Sequence, residues 1–266
     1  MKTWLMIGCV TLLSCPLMAE TPADAYETPI EYQVDGQTFK SRMYRNPVLS
    51  NSLPGILVFP EYWGANDYAT SRAMMLQELG YAAMVVDMYG DGKVTTDPKE
   101  AGQWSGEVKG DRAMLRRRAV AALEAFSKQN GVDERRMGAI GYCFGGTCAL
   151  ELARSNAPVR GVVSFHGGLA PGDGTTSETV KPAVLVLHGA VDPMVPPEEV
   201  QAFEKEMQDA GADWQLVSYG HAVHTFTNPA AGDDPSRGVA YNEKADKRSW
   251  EKMRDFLEAV VKNALR

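Results

Sequence analysis

The chain has 266 residues, which is enough for one large α/β domain with a sizeable core, and no linker divides it. Its 27 lysines and arginines are outnumbered by 34 aspartates and glutamates, so the formal net charge is −7. Because the chain has no basic block and no basic amphipathic helix, nucleic acid and anionic membrane surfaces are excluded as expected partners.

The first 19 residues are typical of a secretory signal peptide. Lys2 precedes an apolar run over residues 4–13, and a small residue, Ala19, is the predicted cleavage point. A less favoured alternative is a lipoprotein signal in which Cys15 becomes the lipidated first residue. The apolar run is too short for a stable membrane span. We therefore expect a periplasmic or secreted protein whose single domain comprises residues 20–266.

The cysteines fit an exported protein with a protected thiol. Cleavage after residue 19 removes Cys9 and Cys15 and leaves Cys143 and Cys148. These two lie five residues apart across a predicted turn and helix, so their side chains point in different directions and form a poor disulfide pair. A thiol that stays free in an oxidising compartment is expected to be used or well shielded.

The hydrophobic pattern predicts an α/β fold. Alternating segments at residues 30–34 and 37–44, joined by Asp35-Gly36, indicate an antiparallel hairpin at the sheet edge. From residue 55 the apolar runs are uninterrupted, as in parallel strands buried on both faces. These strands are predicted at residues 56–59, 82–86, 137–140, 159–165, 183–187 and 214–219. Flanking helices are predicted at residues 66–79, 111–129, 145–154, 197–210 and 242–265.

The strongest chemical signal lies at residues 137–151. An apolar strand ends in Gly141-Tyr142-Cys143-Phe144-Gly145 and continues directly into a helical pattern, which is the form of a nucleophile elbow. A Cβ at either glycine would collide with the neighbouring strand or helix. Cys143 is therefore a candidate nucleophile, although this segment alone also fits a buried structural cysteine beside tightly packed glycines.

Polar loops after two later strands offer an acid and a base. Asp192 follows the strand at 183–187, and His224 follows the strand at 214–219. The carboxyl ends of parallel strands meet at one sheet edge, and the order nucleophile, acid, histidine is that of α/β-hydrolases. Asp192 precedes a proline and also fits a plain turn. Spacing alone leaves His221 as an equal alternative to His224.

The remaining histidines have weaker claims to the base. His166 follows a strand and is expected to be a pocket wall or a hydrogen-bonded structural residue, with catalysis as the minor alternative. His188 is expected to order the acid loop through hydrogen bonds.

The backbone N–H groups of Phe144 and Tyr62 are the candidate donors to a developing oxyanion. Glu61 ends a buried strand, where a carboxyl pKa is often shifted, although a solvated loop carboxylate is its ordinary interpretation.

Taken together, these segments resemble the dienelactone hydrolase family over nearly the whole mature chain. The residues that carry the resemblance are Glu61-Tyr62-Trp63-Gly64, Asp87-Met88-Tyr89-Gly90, Gly141-Tyr142-Cys143-Phe144-Gly145-Gly146, His188-Gly189, Asp192-Pro193 and Ala222-Val223-His224-Thr225-Phe226. The resemblance implies an α/β-hydrolase fold without a large cap and a triad of Cys143, His224 and Asp192. It also implies that Glu61 interacts with the resting thiol and keeps it protonated until substrate arrives.

Two departures from the family concern the substrate. The founding enzymes carry an arginine after the Asp-Xaa-Tyr segment and another after His-Xaa-Phe, and these bind a substrate carboxylate. Here the corresponding positions read Asp91-Gly92 and Thr227-Asn228. Candidate pocket residues are aromatic, with a core position as the alternative for each. They are Tyr62, Trp63, Tyr89, Trp104 and Phe226.

The sequence therefore predicts a hydrolase of small-molecule esters or lactones that works through an acyl-enzyme on Cys143. It is expected to be similar to a carboxymethylenebutenolidase but to act on a different substrate, without a metal or cofactor. The alternatives are a non-catalytic ligand-binding protein on a hydrolase fold and a thiol redox protein that cycles Cys143 with Cys148.

Overall fold

The structure is a computed structural model that describes residues 26–49, 52–171 and 178–263. The predicted signal peptide, with Cys9 and Cys15, lies outside the described residues. Within these three ranges, no helix combines the length and the apolar character needed to cross a membrane.

The described residues form one eight-stranded sheet, as predicted. Its strands are β1 (Glu27–Val34), β2 (Gln37–Tyr44), β3 (Leu53–Phe59), β4 (Ala82–Val85), β5 (Val132–Tyr142), β6 (Gly161–Phe165), β7 (Ala183–Gly189) and β8 (Trp214–Tyr219). They lie in the order β1-β2-β4-β3-β5-β6-β7-β8. Strands β1 and β2 are antiparallel to each other, β2 is antiparallel to β4, and the remaining pairs are parallel. The hairpin is thus at the sheet edge, and the α/β-hydrolase fold without a large cap is confirmed.

Six α-helices occur in the described part of the chain. They are α1 (Asp67–Glu78), α2 (Pro98–Gly110), α3 (Arg112–Ser127), α4 (Phe144–Arg154), α5 (Pro197–Asp209) and α6 (Glu243–Leu257). Asparagine or aspartate side chains cap the first turns of α1, α3 and α6 by accepting a backbone N–H. The predicted helix at 242–265 differs at its end, because Glu258–Lys262 forms a π-helical turn after α6.

Helix α2 was not predicted from the sequence. It contains three glycines and buries little, so it lacks a continuous apolar stripe; its buried residues are Ala101, Ser105 and Val108. Its start is nonetheless well specified, because Pro98 occupies the first turn and the Asp97 side chain accepts the Lys99 N–H. The helix forms one wall of the cleft described below.

The continuous apolar strands are buried on both faces. Along β3, Ile56 and Val58 belong to the core cluster that contains α1 and α6, whereas Leu57 and Phe59 belong to the cluster that contains α3, α4 and α5. Consecutive side chains therefore enter opposite helical layers, as the pleat requires. This packing holds the carboxyl ends of β3, β5, β7 and β8 on one edge of the sheet, where the candidate residues lie.

Candidate active site

Cys143 lies at a tight turn between β5 and α4. Its backbone is strained, with φ of 53° and ψ of −116°, and its N–H donates to Phe165 O at 3.0 Å. A Cβ on Gly141 would contact the carbonyl oxygen of Gly145, and a Cβ on Gly145 would contact that of Phe59. The neighbouring backbone therefore approaches so closely that only glycine fits on either side of the thiol, as the elbow motif predicts.

The structure brings Cys143, His224 and Asp192 together in one hydrogen-bonded chain. His224 Nε2 lies 3.0 Å from Cys143 Sγ, and His224 Nδ1 lies 2.8 Å from Asp192 Oδ2. His224 and Asp192 are each 5% exposed. Asp192 is oriented in turn by Met194, whose N–H donates to Oδ1 at 2.8 Å. This is the arrangement needed to move a proton from sulfur to imidazole and to hold the resulting imidazolium.

Distant backbone contacts place His224 at this position. Its N–H donates to Gly238 O, and its carbonyl accepts the Ala240 N–H, each at 3.2 Å. The segment that returns from residue 238 thus clamps the loop after β8. His221, the alternative base, is exposed and makes no such contact among the described residues.

The contacts of the His224 ring with Cys143 and Asp192 favour its charged form. Burial by itself would lower the pKa of His224, but the Cys143 thiolate and the Asp192 carboxylate outweigh burial and raise it. His224 is therefore held in the form that carries a second proton, with Nε2 3.0 Å from Cys143 Sγ.

Glu61 lies in the same cleft and is 2% exposed. Its Oε2 accepts the Asn228 Nδ2–H at 2.6 Å, and its Oε1 has no hydrogen-bond partner. Burial raises the pKa of Glu61 to about 7, although the Asn228 hydrogen bond opposes this rise. The residue is thus not a solvated loop carboxylate. From the sequence, Asn228 is notable only because it stands where the family's founding enzymes carry an arginine. Its contact with Glu61 is not predicted.

The backbone N–H groups of Tyr62 and Phe144 are free to face a ligand. Neither donates a hydrogen bond within the described residues, and both residues line the cleft. The peptide that carries the Tyr62 N–H is oriented by Glu61 O, which accepts the Gly64 N–H at 3.3 Å. Because C=O and N–H point in opposite directions across a trans peptide, this turn aims the Tyr62 N–H away from Gly64.

His166 is a structural histidine of the elbow. It is 1% exposed, and its Nδ1 accepts the Cys143 N–H at 3.1 Å while Nε2 lies 2.7 Å from Thr227 Oγ1. Burial, together with the nearby charges of His224 and Arg72, holds its pKa well below the usual value. The neutral ring therefore carries its proton on Nε2 and supports the backbone of Cys143.

His188 does not order the acid loop in the way expected. Its Nδ1 is buried without a hydrogen-bond partner. The loop is held instead by main-chain bonds from Ala190 N to Tyr219 O and from Val191 N to Ala222 O. These bonds tie the loops after β7 and β8 to each other and so fix the separation of Asp192 and His224.

A cleft of about 990 Å³ opens on these groups. Residues that line it include Glu61, Tyr62, Trp63, Cys143, Phe144 and His224. The prediction that Phe226 binds substrate is wrong, because Phe226 is fully buried against His166 and Tyr219 and does not line the cleft.

Tyr89 is also corrected from a pocket wall to a support. It is 5% exposed and lies outside the cleft lining. Its ring stacks on Phe144, and its hydroxyl donates to Tyr62 O at 2.9 Å. Trp104 packs against Tyr89 with ring centroids 5.4 Å apart and likewise does not line the cleft. The two aromatic residues therefore hold the backbone of both candidate oxyanion donors from behind.

Cys143 and Cys148 are both free thiols, but their surroundings differ. Cys143 is partly exposed in the cleft, whereas Cys148 is fully buried in α4. Burial raises the pKa of Cys148 far above its usual value. Cys148 is thus a core residue with an inert thiol.

Comparison with known proteins places the chain in a family. The model of the dienelactone hydrolase family matches residues 42–261. A Bradyrhizobium protein named "Probable 2-oxo-3-(5-oxofuran-2-ylidene)propanoate lactonase" is 30% identical over 190 residues, which cover 68% of this chain and 76% of that protein.

Two solved structures match over most of the chain. The dienelactone hydrolase-like promiscuous phosphotriesterase P91, from metagenomic libraries, is 40% identical with a TM-score of 0.83, and the match covers 87% of this chain and 97% of that one. A protein named m3DLH is 40% identical with a TM-score of 0.84, and the match covers 88% of this chain and 98% of that one.

Proposed function

Because the chain belongs to the dienelactone hydrolase family and is therefore an ester or lactone hydrolase, we propose that it acts through Cys143, His224 and Asp192. The observation that carries this proposal is the continuous chain from Cys143 Sγ through the His224 ring to Asp192, with contacts of 3.0 and 2.8 Å. The helix dipole of α4, which begins directly after Cys143, favours the thiolate.

The reaction has two steps. The Cys143 thiolate attacks the carbonyl carbon, the C–O bond to the leaving group breaks, and His224 donates its proton to the departing oxygen. This leaves an acyl thioester on Cys143 and a neutral imidazole. Water then attacks the thioester, His224 takes one proton from that water, and the carboxylic acid leaves as the C–S bond breaks. Asp192 holds the ring in the tautomer that both transfers need.

The Tyr62 and Phe144 N–H groups are the proposed oxyanion donors. Both are unpaired within the described residues and lie on the same cleft as the thiol. The developing oxyanion would meet two donors whose backbone is already oriented by the turn at residues 61–64 and by the first turn of α4. Such preorganised donors stabilise the transition state more than the ground state.

We propose an uncharged ester or lactone with a small apolar acyl or ring group as the substrate class. Trp63, Val94 and Met194 line the cleft, and the last two are about half exposed, at 47% and 56%. The positions at which family members are expected to bind a carboxylate hold no arginine. Arg42, which also lines the cleft, already donates to Ala65 O and Thr70 Oγ1.

The two alternative functions find less support. A non-catalytic binding protein would have no need for three residues in proton-transfer geometry. A dithiol redox protein would need a second accessible thiol, and Cys148 is fully buried.

The test is a panel of short-chain esters and lactones assayed with wild type, Cys143→Ala and the matched control Cys148→Ala. An aryl phosphotriester belongs in the panel because the similar P91 is named a promiscuous phosphotriesterase. We expect Cys143→Ala to lower kcat on the order of 10³-fold or more, and Cys148→Ala to retain turnover. Intact mass should show an acyl adduct on wild type and on Cys148→Ala, and none on Cys143→Ala. Turnover near wild type in folded Cys143→Ala would contradict the proposal.

The mature protein is further proposed to be exported, on the support of the signal-like pattern at residues 1–19. The same intact-mass measurement on protein expressed from the full sequence tests this proposal. A mass that corresponds to a chain beginning at Glu20 supports cleavage after Ala19, and an unprocessed mass contradicts it.

A further inference from the structure

Thr227 is a fully buried residue behind the candidate site. It lies three positions after His224 in the loop that follows β8. Its Oγ1 is 2.7 Å from His166 Nε2 and 2.6 Å from the hydroxyl of Tyr68, which lines the cleft. A line of hydrogen bonds therefore runs from the cleft wall, through the threonine hydroxyl, to the ring that supports Cys143.

The main chain is anchored on both sides of the contact between Thr227 and His166. Arg72 donates to Thr227 O at 2.6 Å and is itself paired with Asp246 at 2.7 Å. The His166 N–H donates to Leu187 O at 2.9 Å, and the backbone of His166 has a φ of 40°. A residue other than glycine keeps such an angle only where its surroundings over-determine it, and such residues cluster at functional sites. The contact therefore joins two loops that are each held in place.

The His166 ring can join these loops in only one tautomer. The Cys143 N–H is shared between Phe165 O at 3.0 Å and His166 Nδ1 at 3.1 Å, so Nδ1 has to be an acceptor. The neutral ring then carries its proton on Nε2, and Thr227 Oγ1 is the acceptor that this proton faces. In the opposite tautomer two N–H groups would point at each other at Nδ1. The threonine oxygen therefore favours the tautomer that the Cys143 N–H requires.

These contacts form a bridge between the elbow and the loop that carries His224. The bridge consists of the Cys143 N–H, the His166 ring and Thr227 Oγ1, and we call it the His166 bridge. The His166 ring also meets the His224 ring edge-on, with centroids 5.4 Å apart. The distance of 3.0 Å between Cys143 Sγ and His224 Nε2 is therefore supported from behind as well as by the contact of the two side chains.

We propose that Thr227 is a positioning residue whose Oγ1 selects the Nε2–H tautomer of His166, so that the His166 bridge holds Cys143 at the distance from His224 that proton transfer needs. The inference rests on the proposed function for the use of that distance, in which Cys143 is the nucleophile and His224 the base. It requires no contact between Thr227 and substrate.

The first measurement reads the tautomer from the imidazole nitrogen-15 shifts of histidine-labelled protein at pH 7.5. The chain has four histidines, and spectra of His166→Gln and His224→Gln assign the two signals that matter. Wild type should show His166 protonated on Nε2 alone. Thr227→Val keeps the shape of the side chain but removes the acceptor, so the Nδ1–H tautomer should become populated. Thr227→Ser keeps the hydroxyl and should show the wild-type tautomer.

The second measurement reads the consequence for the reaction. In Thr227→Val, kcat for a short-chain ester should fall about ten-fold or more while KM stays within about two-fold, because the alignment of Cys143 with His224 is lost and the cleft is unchanged. Thr227→Ser should restore kcat to within about three-fold of wild type. A general loss of stability would not produce this split between kcat and KM or the rescue by serine.

Thr147→Val is the matched control. Thr147 is 3% exposed, and its Oγ1 donates to Gly168 O at 3.1 Å, so the substitution also removes one buried hydroxyl hydrogen bond close to the elbow. In the described part of the chain, Thr147 makes no hydrogen bond to the His166 ring. Its tautomer pattern and kcat should match wild type. A wild-type tautomer in folded Thr227→Val, or an equal fall of kcat in Thr147→Val, would overturn the inference.

A titration of His224 in the same spectra measures its contact with Cys143 without ester turnover. Burial lowers the pKa of His224, and the Cys143 thiolate is the strongest influence that raises it. If Cys143 moves away in Thr227→Val, the His224 midpoint should fall by about half a pH unit or more. The other titratable groups that act on His224 or are acted on by it are not substituted in this variant; they are Asp192, Glu61, His166 and His188.

The two proposals therefore fail separately. If the tautomer and the His224 midpoint change in Thr227→Val while wild type hydrolyses no member of the substrate panel, the inference about geometry stands and the proposed function fails. If wild type hydrolyses esters and Thr227→Val keeps the wild-type midpoint and kcat, the proposed function stands and the inference fails, whichever tautomer is seen. A thermal melt of each variant confirms that a folded protein is measured.

Discussion

The nucleophile elbow and the walls of the cleft are built in opposite ways. The elbow comprises the six consecutive residues 141–146, and a Cβ added at one of its glycines would meet backbone of α4, of residues 59–60 or of Gly167. The walls come from separate segments: the loop at residues 61–68, helix α2, the acid loop at Met194 and the stretch at residues 224–239. Their side chains line the cleft. The difference implies that the backbone around Cys143 tolerates little change, whereas the wall side chains other than Glu61 and His224 tolerate much.

The largest expected effect tests the tightness of the elbow. In Gly145→Ala the new Cβ would meet the carbonyl groups of Phe59 and Pro60, which are backbone and cannot rotate away. We expect a loss of about 3 kcal/mol or more in the free energy of unfolding, or failure to fold. The matched change is Gly106→Ala in wall helix α2, where a Cβ meets nothing within 4 Å.

For Gly106→Ala we expect stabilisation by about 0.5–1 kcal/mol, since alanine is the better helix former. Urea denaturation of both variants measures the difference. If the two substitutions changed stability by similar amounts, the contrast between a tight elbow and a tolerant wall would be contradicted.

The elbow is also easier to predict from the sequence than the residues that other segments bring to the site. The elbow is a local pattern, and Cys143 was predicted because its glycines lie next to it in the chain. His224 and His221 belong to one short loop, so spacing did not separate them on its own; the structure places His224 through contacts with residues 238 and 240. The family resemblance contained that long-range information, whereas hydrophobic periodicity did not.

Long-range pairs explain the wrong and missing predictions. Asn228 and Glu61 are 167 residues apart, and no local pattern couples an amide to a carboxylate over that separation. The motif beside His224 predicts that Phe226 lines the pocket, but its ring packs inward on His166. Helix α2 escaped prediction because a wall helix that faces a cleft buries little and needs no apolar stripe.

A smaller effect, on the preference for acyl chain length, is expected from a change at the cleft rim. Met194 and Val191 are on the same loop and are exposed to the same degree, at 56% and 55%, but only Met194 lines the cleft. Met194→Gln keeps the length of the side chain and removes its apolar character. We expect kcat/KM for a hexanoyl ester to fall about five-fold relative to that for an acetyl ester.

Val191→Thr is the control for that measurement, because it makes a comparable polar change outside the cleft. Its ratio of hexanoyl to acetyl kcat/KM should equal that of wild type. Equal responses of the two variants would mean that the rim does not contact the acyl group, and the proposed apolar substrate class would lose its support. The acetyl ester itself should be turned over by both variants, since neither change touches the elbow.

The last expected effect concerns the pH dependence of stability at the elbow. His166 is buried against the Cys143 N–H, and its pKa in the folded protein lies below that of the unfolded chain, which is about 6.5. The unfolded state therefore binds more protons below that pH. The stabilisation by neutral His166 is complete above pH 6.5 and is lost as the pH falls, by about 1.4 kcal/mol per unit.

His166→Gln removes this titration together with the ring's hydrogen bonds. We expect the variant to be about 1–2 kcal/mol less stable than wild type at pH 7.5. Below pH 6.5 the gap should narrow, because only wild type pays the cost of keeping this ring neutral. Urea denaturation at pH 7.5, 6.5 and 5.5 measures the gap, and His221→Gln, which removes an exposed histidine, serves as the control. A difference in the free energy of unfolding that stayed constant with pH would contradict this prediction. It would show that the contribution of His166 to stability does not depend on keeping its buried imidazole neutral.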